Sequence, residues 1–135
     1  MAKEAALARP VLAAFLVLLT IYVVPLLVYG VASVVWGLQP PSGASPGRFL
    51  FGILITKLGT AIAFVALLSA ARAVWGDRWL LYAFIWFVMF AFSELGEAIS
   101  GRTSRLEAIL GVVSEAIYAP AAAFLAQWIL GRSPG

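Results

Sequence analysis

The sequence predicts an all-α integral membrane protein, in which 135 residues form one domain, an antiparallel bundle of four transmembrane helices. Hydrophobic residues make up 64% of the chain and charged residues only 11%, whereas soluble domains contain about 45–50% and 25% of these classes. The apolar residues fall into four long stretches, each exceeding the roughly 20 residues that cross a bilayer as a helix. None shows the alternation of barrel strands, so helices are expected.

The first predicted helix covers residues 10–38 and contains no charged residue. Its basic start, Lys3 and Arg9, is compatible with a secretory signal peptide. The apolar run is longer than the roughly 7–15 residues of such a peptide's core, so we interpret it as a retained span. Pro25 cannot donate a hydrogen bond to the carbonyl of Ile21, and a kink is expected there.

Three further helices are predicted after the first. The second covers residues 49–75 and is interrupted by Lys57, the third covers 79–100, and the fourth covers 106–131. Tryptophans near span ends are typical of the membrane interface and support these boundaries; they are Trp36, Trp75, Trp79 and Trp128. Trp86 is the exception, because it lies well inside the third helix.

Short connections join the helices, so helices that are adjacent in the sequence are expected to be antiparallel. Residues 39–48 are rich in Pro, Gly and Ser and are predicted to form a loop. Residues 75–78 and 101–105 are predicted to be tight turns. The helices that follow these turns are expected to be capped by Asp77 and by Thr103 or Ser104, respectively.

The basic residues predict a multi-pass protein of the cell membrane with both termini in the cytoplasm, where Lys and Arg concentrate. Five lie on the side of the termini and three on the other: Lys3, Arg9, Arg72, Arg78 and Arg132 against Arg48, Arg102 and Arg105. They stand singly at the ends of apolar runs, so the net charge of +3 indicates a lipid bilayer and not nucleic acid as the partner. An Arg-rich chain without Cys or Asn is typical of a GC-rich or heat-adapted prokaryote.

Four ionisable residues are predicted to lie at membrane depth, namely Lys57, Glu94, Glu97 and Glu115. A charge at the bilayer centre costs about 2.5–3.5 kcal/mol on insertion scales, so it usually faces the protein interior and has a partner or a role. From the nearest connection, the helical rise places Lys57 roughly 13 Å, Glu94 roughly 9 Å and Glu115 roughly 15 Å into the membrane. All four fall in the same half, and three helices can bring them to one site.

This group of carboxylates with a lysine predicts binding of a proton or a hard cation. Glu94 and Glu97 are three residues apart on adjoining parts of one helix face. Carboxylates so close in a low dielectric resist double ionisation, so one is expected to hold a proton. Carboxylate oxygens also suit Na⁺, Ca²⁺ or Mg²⁺. Softer metals need His or Cys, which the sequence lacks, and no cofactor or dedicated metal site is predicted.

A proline and three polar residues accompany these charges in the sequence. Pro120 frees the carbonyl of Ala116, directly after Glu115. A helix interrupted beside an ionisable residue is typical of transporter sites. The polar candidates nearby are Ser93, Ser114 and Tyr118.

Structural explanations for the same residues stay open. Glu97 and Glu107 lie near helix ends and can reach water, and Lys57 can extend toward the interface. Glu94 and Glu115 can instead form a paired contact that holds two helices together.

Small residues recur at helical spacing on two of the predicted helices. Such stripes permit close helix packing, either within the bundle or between protomers. They comprise Gly52, Gly59, Ala63, Ala66 and Ala70 on the second helix, and Gly111, Ala119, Ala122 and Ala126 on the fourth.

Three functions follow as hypotheses. The first is a homo-oligomeric transport or permeation protein that uses the carboxylate and lysine group for proton or cation coupling. The second is an accessory subunit of a larger membrane complex. The third is a membrane-embedded enzyme acting on a lipid or isoprenoid, with Glu94 and Glu115 as acid and base. The sequence contains no catalytic motif, so an enzyme is the weaker expectation.

Overall fold

The structure, a computed structural model, describes residues 1–39, 43 and 45–131. These residues form four α-helices, α1 (Ala2–Trp36), α2 (Pro46–Trp75), α3 (Trp79–Ile99) and α4 (Arg105–Gly131). The prediction of four helices is therefore confirmed, and the bounds of α3 and α4 differ from the predicted ones by a single residue at one end. Arg132, which contributes to the predicted orientation, lies outside the described residues.

The first two helices begin earlier than the sequence predicts. α1 starts at Ala2 and not at residue 10, because the Ala-, Glu- and Leu-rich start favours helix and the chain stays helical through Pro10 and Pro25. α2 starts at Pro46, where the Ser45 side chain accepts a hydrogen bond from the Arg48 amide at 3.3 Å. Proline is tolerated in the first turn, because the amide hydrogen that it lacks would have no partner within the helix there. The predicted loop over residues 39–48 thus ends at Ser45, and residues 40–42 and 44 lie outside the described part.

The two remaining connections are tight turns, as predicted. Gly76 has a φ of 61° and Gly101 a φ of 75°, a backbone region that favours glycine. Asp77 does not cap α3, since Arg78 precedes that helix without a side-chain cap. Ser104 caps α4: its hydroxyl accepts from the Glu107 amide at 3.1 Å, and the Glu107 carboxylate accepts from the Ser104 amide at 2.7 Å. This reciprocal capping box fixes the start of α4.

α4 is the most buried of the four helices, and it packs closely against α1 and α3. α1 also packs along α2, whereas the backbones of α2 and α3 stay further apart. Aromatic side chains fill the space between α2 and α3: the Phe64 ring lies 4.9 Å from the Tyr82 ring and 5.2 Å from the Trp86 ring. The Tyr82 hydroxyl donates a hydrogen bond to the Phe64 carbonyl. Trp86, the tryptophan away from the span ends, therefore belongs to the core.

The two stripes of small residues have opposite environments. On α4 all four, Gly111, Ala119, Ala122 and Ala126, are buried against neighbouring helices. On α2 all five are exposed: Gly52, Gly59, Ala63, Ala66 and Ala70. They lie on the side of α2 opposite its core residues, such as Phe64 and Leu68. The α4 stripe thus packs the bundle, and the α2 stripe is left for contacts outside it.

All four helices are long and apolar enough to cross a membrane. The shortest, α3, has 21 residues, which span roughly 32 Å at 1.5 Å per residue, close to the thickness of a hydrocarbon core. Large apolar side chains cover the outside of the bundle, such as Phe15, Phe51, Ile62, Phe84 and Phe92. This pattern suits lipid or apolar protein surfaces and not water.

Candidate functional site

Glu115 is the charged residue that the fold buries most deeply among the described residues, with 4% of its surface exposed. It lies on the inner face of α4, between the small residues that pack α1 and α3. Its Oε2 atom is buried and has no hydrogen-bond partner among the described residues. A buried carboxylate without a donor is costly, so this oxygen calls for a proton or a ligand.

Glu94 of α3 faces Glu115 across the packed helices. The Glu94 carboxyl group lies against Gly111, one helical turn before Glu115 on α4, and the two carboxyl groups interact electrostatically. Because neither carboxylate carries a donor when ionised, a hydrogen bond between them requires a proton on one of them. We call these two residues the carboxyl pair.

Gly111, one helical turn before Glu115, makes the approach of Glu94 possible. A Cβ atom at position 111 would lie 2.6 Å from the Glu94 Cδ atom and 2.8 and 2.9 Å from its two carboxyl oxygens. The Glu94 carboxyl group therefore rests on the bare backbone of α4. The sequence places Gly111 in the small-residue stripe but does not indicate this contact.

Lys57 of α2 extends toward α4. Its ammonium nitrogen lies 5.0 Å from the centre of the Tyr118 ring, a cation–π contact. Both members of the carboxyl pair act on it electrostatically, Glu115 more strongly than Glu94. Lys57 is half-buried, and within the described part of the chain it forms no ion pair with a carboxylate. The lysine thus contributes a positive charge near the pair without neutralising it by direct contact.

Tyr29 of α1 also belongs to the site, although the sequence analysis does not single it out. Its hydroxyl donates a hydrogen bond to the Glu107 main-chain oxygen at 3.0 Å, and it lies within electrostatic range of Glu94 and Glu115. All four helices therefore contribute to this region. The sequence does not indicate this role, because the hydrogen-bond partner of Tyr29 is 78 residues away along the chain.

The other candidates from the sequence lie around the carboxyl pair or away from it. Glu97 is half-buried on α3, near Glu94. The buried Ser114 hydroxyl donates to the Leu110 carbonyl of its own helix at 2.8 Å. Ser93 is exposed. α4 stays helical through Pro120, and the carbonyl that Pro120 frees belongs to Ala116, on the exposed side of α4 and not on the side of Glu115.

The chemistry open to this arrangement is proton binding and recognition of a cation. Among residues 1–39, 43 and 45–131, no three or more His, Cys, Asp or Glu side chains are grouped so as to hold a metal ion. The carboxyl pair supplies one buried unpartnered oxygen. The rings of Tyr118 and Phe90, whose centres are 6.1 Å apart, belong to residues about one helical turn from Glu115 and Glu94, respectively.

An apolar groove of about 270 Å³ runs between α2 and α3, at the end of the bundle that holds the α2–α3 turn. Its lining includes Leu67, Trp75, Tyr82 and Met89. Glu94 lies beyond Met89 by more than one helical turn, and Lys57 precedes Leu67 by almost three turns. The groove therefore does not open beside the carboxyl pair.

No protein-family model, curated protein or solved structure matches this chain. What the site can do must accordingly be argued from its own geometry.

Proposed function

We propose that the protein is a multi-pass membrane protein for transport or permeation and that the carboxyl pair, Glu94 and Glu115, binds and releases a proton during each cycle. Proton binding would be coupled to the passage of a cation or another substrate near Lys57. Buried ionisable residues in membrane spans commonly mark such pathways.

The observation that carries the proposal is the unpartnered Oε2 atom of Glu115 in an otherwise apolar bundle. A purely structural pair is most stable when its polar atoms are all satisfied, because unpaired buried groups cost about 1–3 kcal/mol each. A proton shared with Glu94 meets this need in one state. Loss of that proton leaves a site for a positively charged ligand.

Partial exposure on one side supports exchange with the surroundings. Glu94 and Lys57 are half-buried, whereas Glu115 is almost fully buried. Protons and cations would therefore pass by way of Glu94 to reach Glu115. The site lies in the half of the bundle next to the α1–α2 and α3–α4 connections, which the basic residues predict to be the outer half.

A homo-oligomer in the cell membrane, with both termini in the cytoplasm, completes the proposal. Four helices alone leave little room for a pathway, and the exposed stripe of small residues on α2 suits close contact with a second copy.

The two alternative functions, accessory subunit and enzyme, require different features of the protein. An accessory subunit would use the α2 stripe and the apolar outer surface for partner chains, and it would co-purify with them. An enzyme acting on a lipid or isoprenoid would need an apolar pocket beside Glu94 and Glu115. The groove between α2 and α3 lies at the other end of the bundle and does not supply that pocket.

Reconstitution into liposomes tests the proposal. Vesicles loaded at acid pH with a pH-sensitive dye would report proton efflux as candidate cations and other substrates are added outside one at a time. We expect Glu94→Gln and Glu115→Gln to reduce coupled efflux at least about tenfold, since each removes a carboxylate that must ionise. Glu4→Gln, which removes an exposed carboxylate in the first turn of α1, serves as the matched control.

Retention of the same helical content and elution volume in the variants separates loss of function from loss of fold. Coupled efflux that is unchanged in a folded protein carrying both Gln substitutions would overturn the proposal.

A further inference from the structure

The charges around the carboxyl pair restrict what can bind there. Lys57 contributes one positive charge, and two carboxylates that share one proton contribute one negative charge. Glu97 and Glu107 also act on Glu94, but both are half-buried near helix ends, where they can reach water and their charges are screened. The group of Lys57 and the carboxyl pair is therefore electrically neutral when the pair is protonated once. Because an uncompensated charge is costly at membrane depth, a ligand should replace the shared proton by the same charge. A monovalent cation does so, whereas a divalent cation leaves one excess positive charge.

A second observation points to a ligand within the pair itself. Glu115 is 4% exposed, and its Oε2 atom has no partner among the residues that the structure describes. This side chain is shielded from solvent and interacts electrostatically with Glu94. The oxygen can accept a hydrogen bond from a positively charged donor that enters between the two carboxyl groups.

The surroundings favour an ammonium group over a metal ion. Hard cations such as Ca²⁺ take six to eight oxygen ligands, and in the described part of the chain no three or more His, Cys, Asp or Glu side chains are grouped so as to hold a metal ion. An ammonium group needs few acceptors and is attracted by aromatic faces. The Lys57 ammonium already occupies such a position, 5.0 Å from the centre of the Tyr118 ring.

We propose that the carboxyl pair exchanges its shared proton for one monovalent ammonium-type cation, either ammonium itself or a primary amine, and that Lys57, by supplying the fixed positive charge, sets the pair to one proton before binding and none after it. This inference rests on the proposed function and names its substrate class. The proton leaves to water as the cation binds, and no bond to carbon is made or broken.

Proton release on binding tests the exchange with the purified full-length protein in detergent. Methylammonium chloride is added in a weakly buffered solution, binding is followed by calorimetry, and released protons are followed with a pH indicator. We expect one proton released for each methylammonium bound. Glu115→Gln should weaken binding at least about tenfold, because it removes the charge that accepts the ammonium. Glu4→Gln should behave like the unaltered protein.

Lys57→Met provides the sharper variant, since methionine nearly preserves the size and shape of the side chain. Without the fixed charge, the pair is electrically neutral only when it holds two protons, so methylammonium binds by releasing one of them while the other stays. We expect one proton still to be released for each methylammonium bound, and one more proton than in the unaltered protein to remain on the pair, seen when the methylammonium-bound protein is titrated with base. This readout does not depend on whether Glu115→Gln folds.

The outcomes separate the two proposals. Methylammonium binding without proton release, from the unaltered protein or from Lys57→Met, overturns the exchange. Proton release on Na⁺ binding, with no response to methylammonium, overturns the ammonium class and leaves the proton-coupled function standing. If no cation binds and the pair shows no titration, both proposals fail.

Discussion

Glu94 rests its carboxyl group on the backbone of Gly111, where a Cβ atom would come within 2.6 Å of the Glu94 Cδ atom. The bare backbone of α4 at that position leaves room for the Glu94 carboxyl group one helical turn from Glu115. Gly111 thus contributes to the carboxyl pair, although it carries no charge and no hydrogen-bonding side chain.

Gly111→Ala is expected to separate the pair while preserving the fold. Alanine favours helix over glycine by about 1 kcal/mol, and the clash involves the end of a flexible glutamate that can turn aside. We expect coupled proton efflux to fall at least about tenfold, because displacement of a catalytic or binding group by about 1 Å can cost that much or more. The measurement is the liposome assay together with the thermal unfolding midpoint.

Gly30→Ala is the matched control for this variant, because a Cβ atom at position 30 meets nothing within 4 Å. It should leave efflux unchanged. Full activity in Gly111→Ala would show that close contact between Glu94 and α4 is not needed for function.

The sequence predicts the four helices well because length and hydropathy decide them locally. It does not predict which stripe of small residues packs the bundle. The stripes on α2 and α4 have similar spacing, but one faces the core and the other faces outward, and this depends on how all four helices pack. Ser45 and Pro46 show the same limit on a smaller scale. They form a capped helix start, but the Pro/Gly/Ser-rich stretch around them predicts a loop.

The candidate site can likewise be predicted only in part from the sequence. Lys57, Glu94 and Glu115 stand out because charge is rare in apolar helices. Gly111 and Tyr29 do not, since their roles arise from contacts with other helices and their residue types are common in membrane spans. The charged residues of such a site can therefore be recognised in the sequence, whereas the uncharged ones are identified only from the packing of the helices.

The exposed α2 stripe predicts a specific effect on self-association. Gly59 lies on that stripe, and a Cβ atom there meets nothing within 4 Å of its own chain. Gly59→Leu should therefore leave the bundle intact but keep a second copy from approaching closely. We expect a shift toward monomer, measured by sedimentation in detergent or by subunit counting in liposomes.

Gly30→Leu places the same side chain on another open position, on α1, and should leave the oligomer unchanged. An oligomer of equal size in Gly59→Leu would rule out the stripe as the contact. A monomeric unaltered protein would rule out the homo-oligomer altogether.

The orientation can be tested directly because the chain has no cysteine. Single cysteines are placed in the α2–α3 turn by Asp77→Cys and at the α3–α4 connection by Ser100→Cys, both exposed positions. With both termini in the cytoplasm, a membrane-impermeant maleimide should label Ser100→Cys on intact cells and Asp77→Cys only after permeabilisation. The opposite pattern would invert the topology, and equal labelling of both would indicate dual insertion.

Two substitutions at Tyr118 separate the role of its ring from that of its hydroxyl. Tyr118→Phe keeps an aromatic face beneath the Lys57 ammonium, so methylammonium binding should stay within about threefold of the unaltered protein. Tyr118→Leu removes the face and leaves a half-buried ammonium beside an aliphatic side chain, which should cost about 1–2 kcal/mol of stability. Lys57 should then turn toward the carboxyl pair, neutralise it by direct contact and weaken methylammonium binding at least about tenfold. The dissociation constant and the unfolding midpoint measure both effects. Equal behaviour of the Phe and Leu variants would mean that the ring does not hold Lys57 away from the pair.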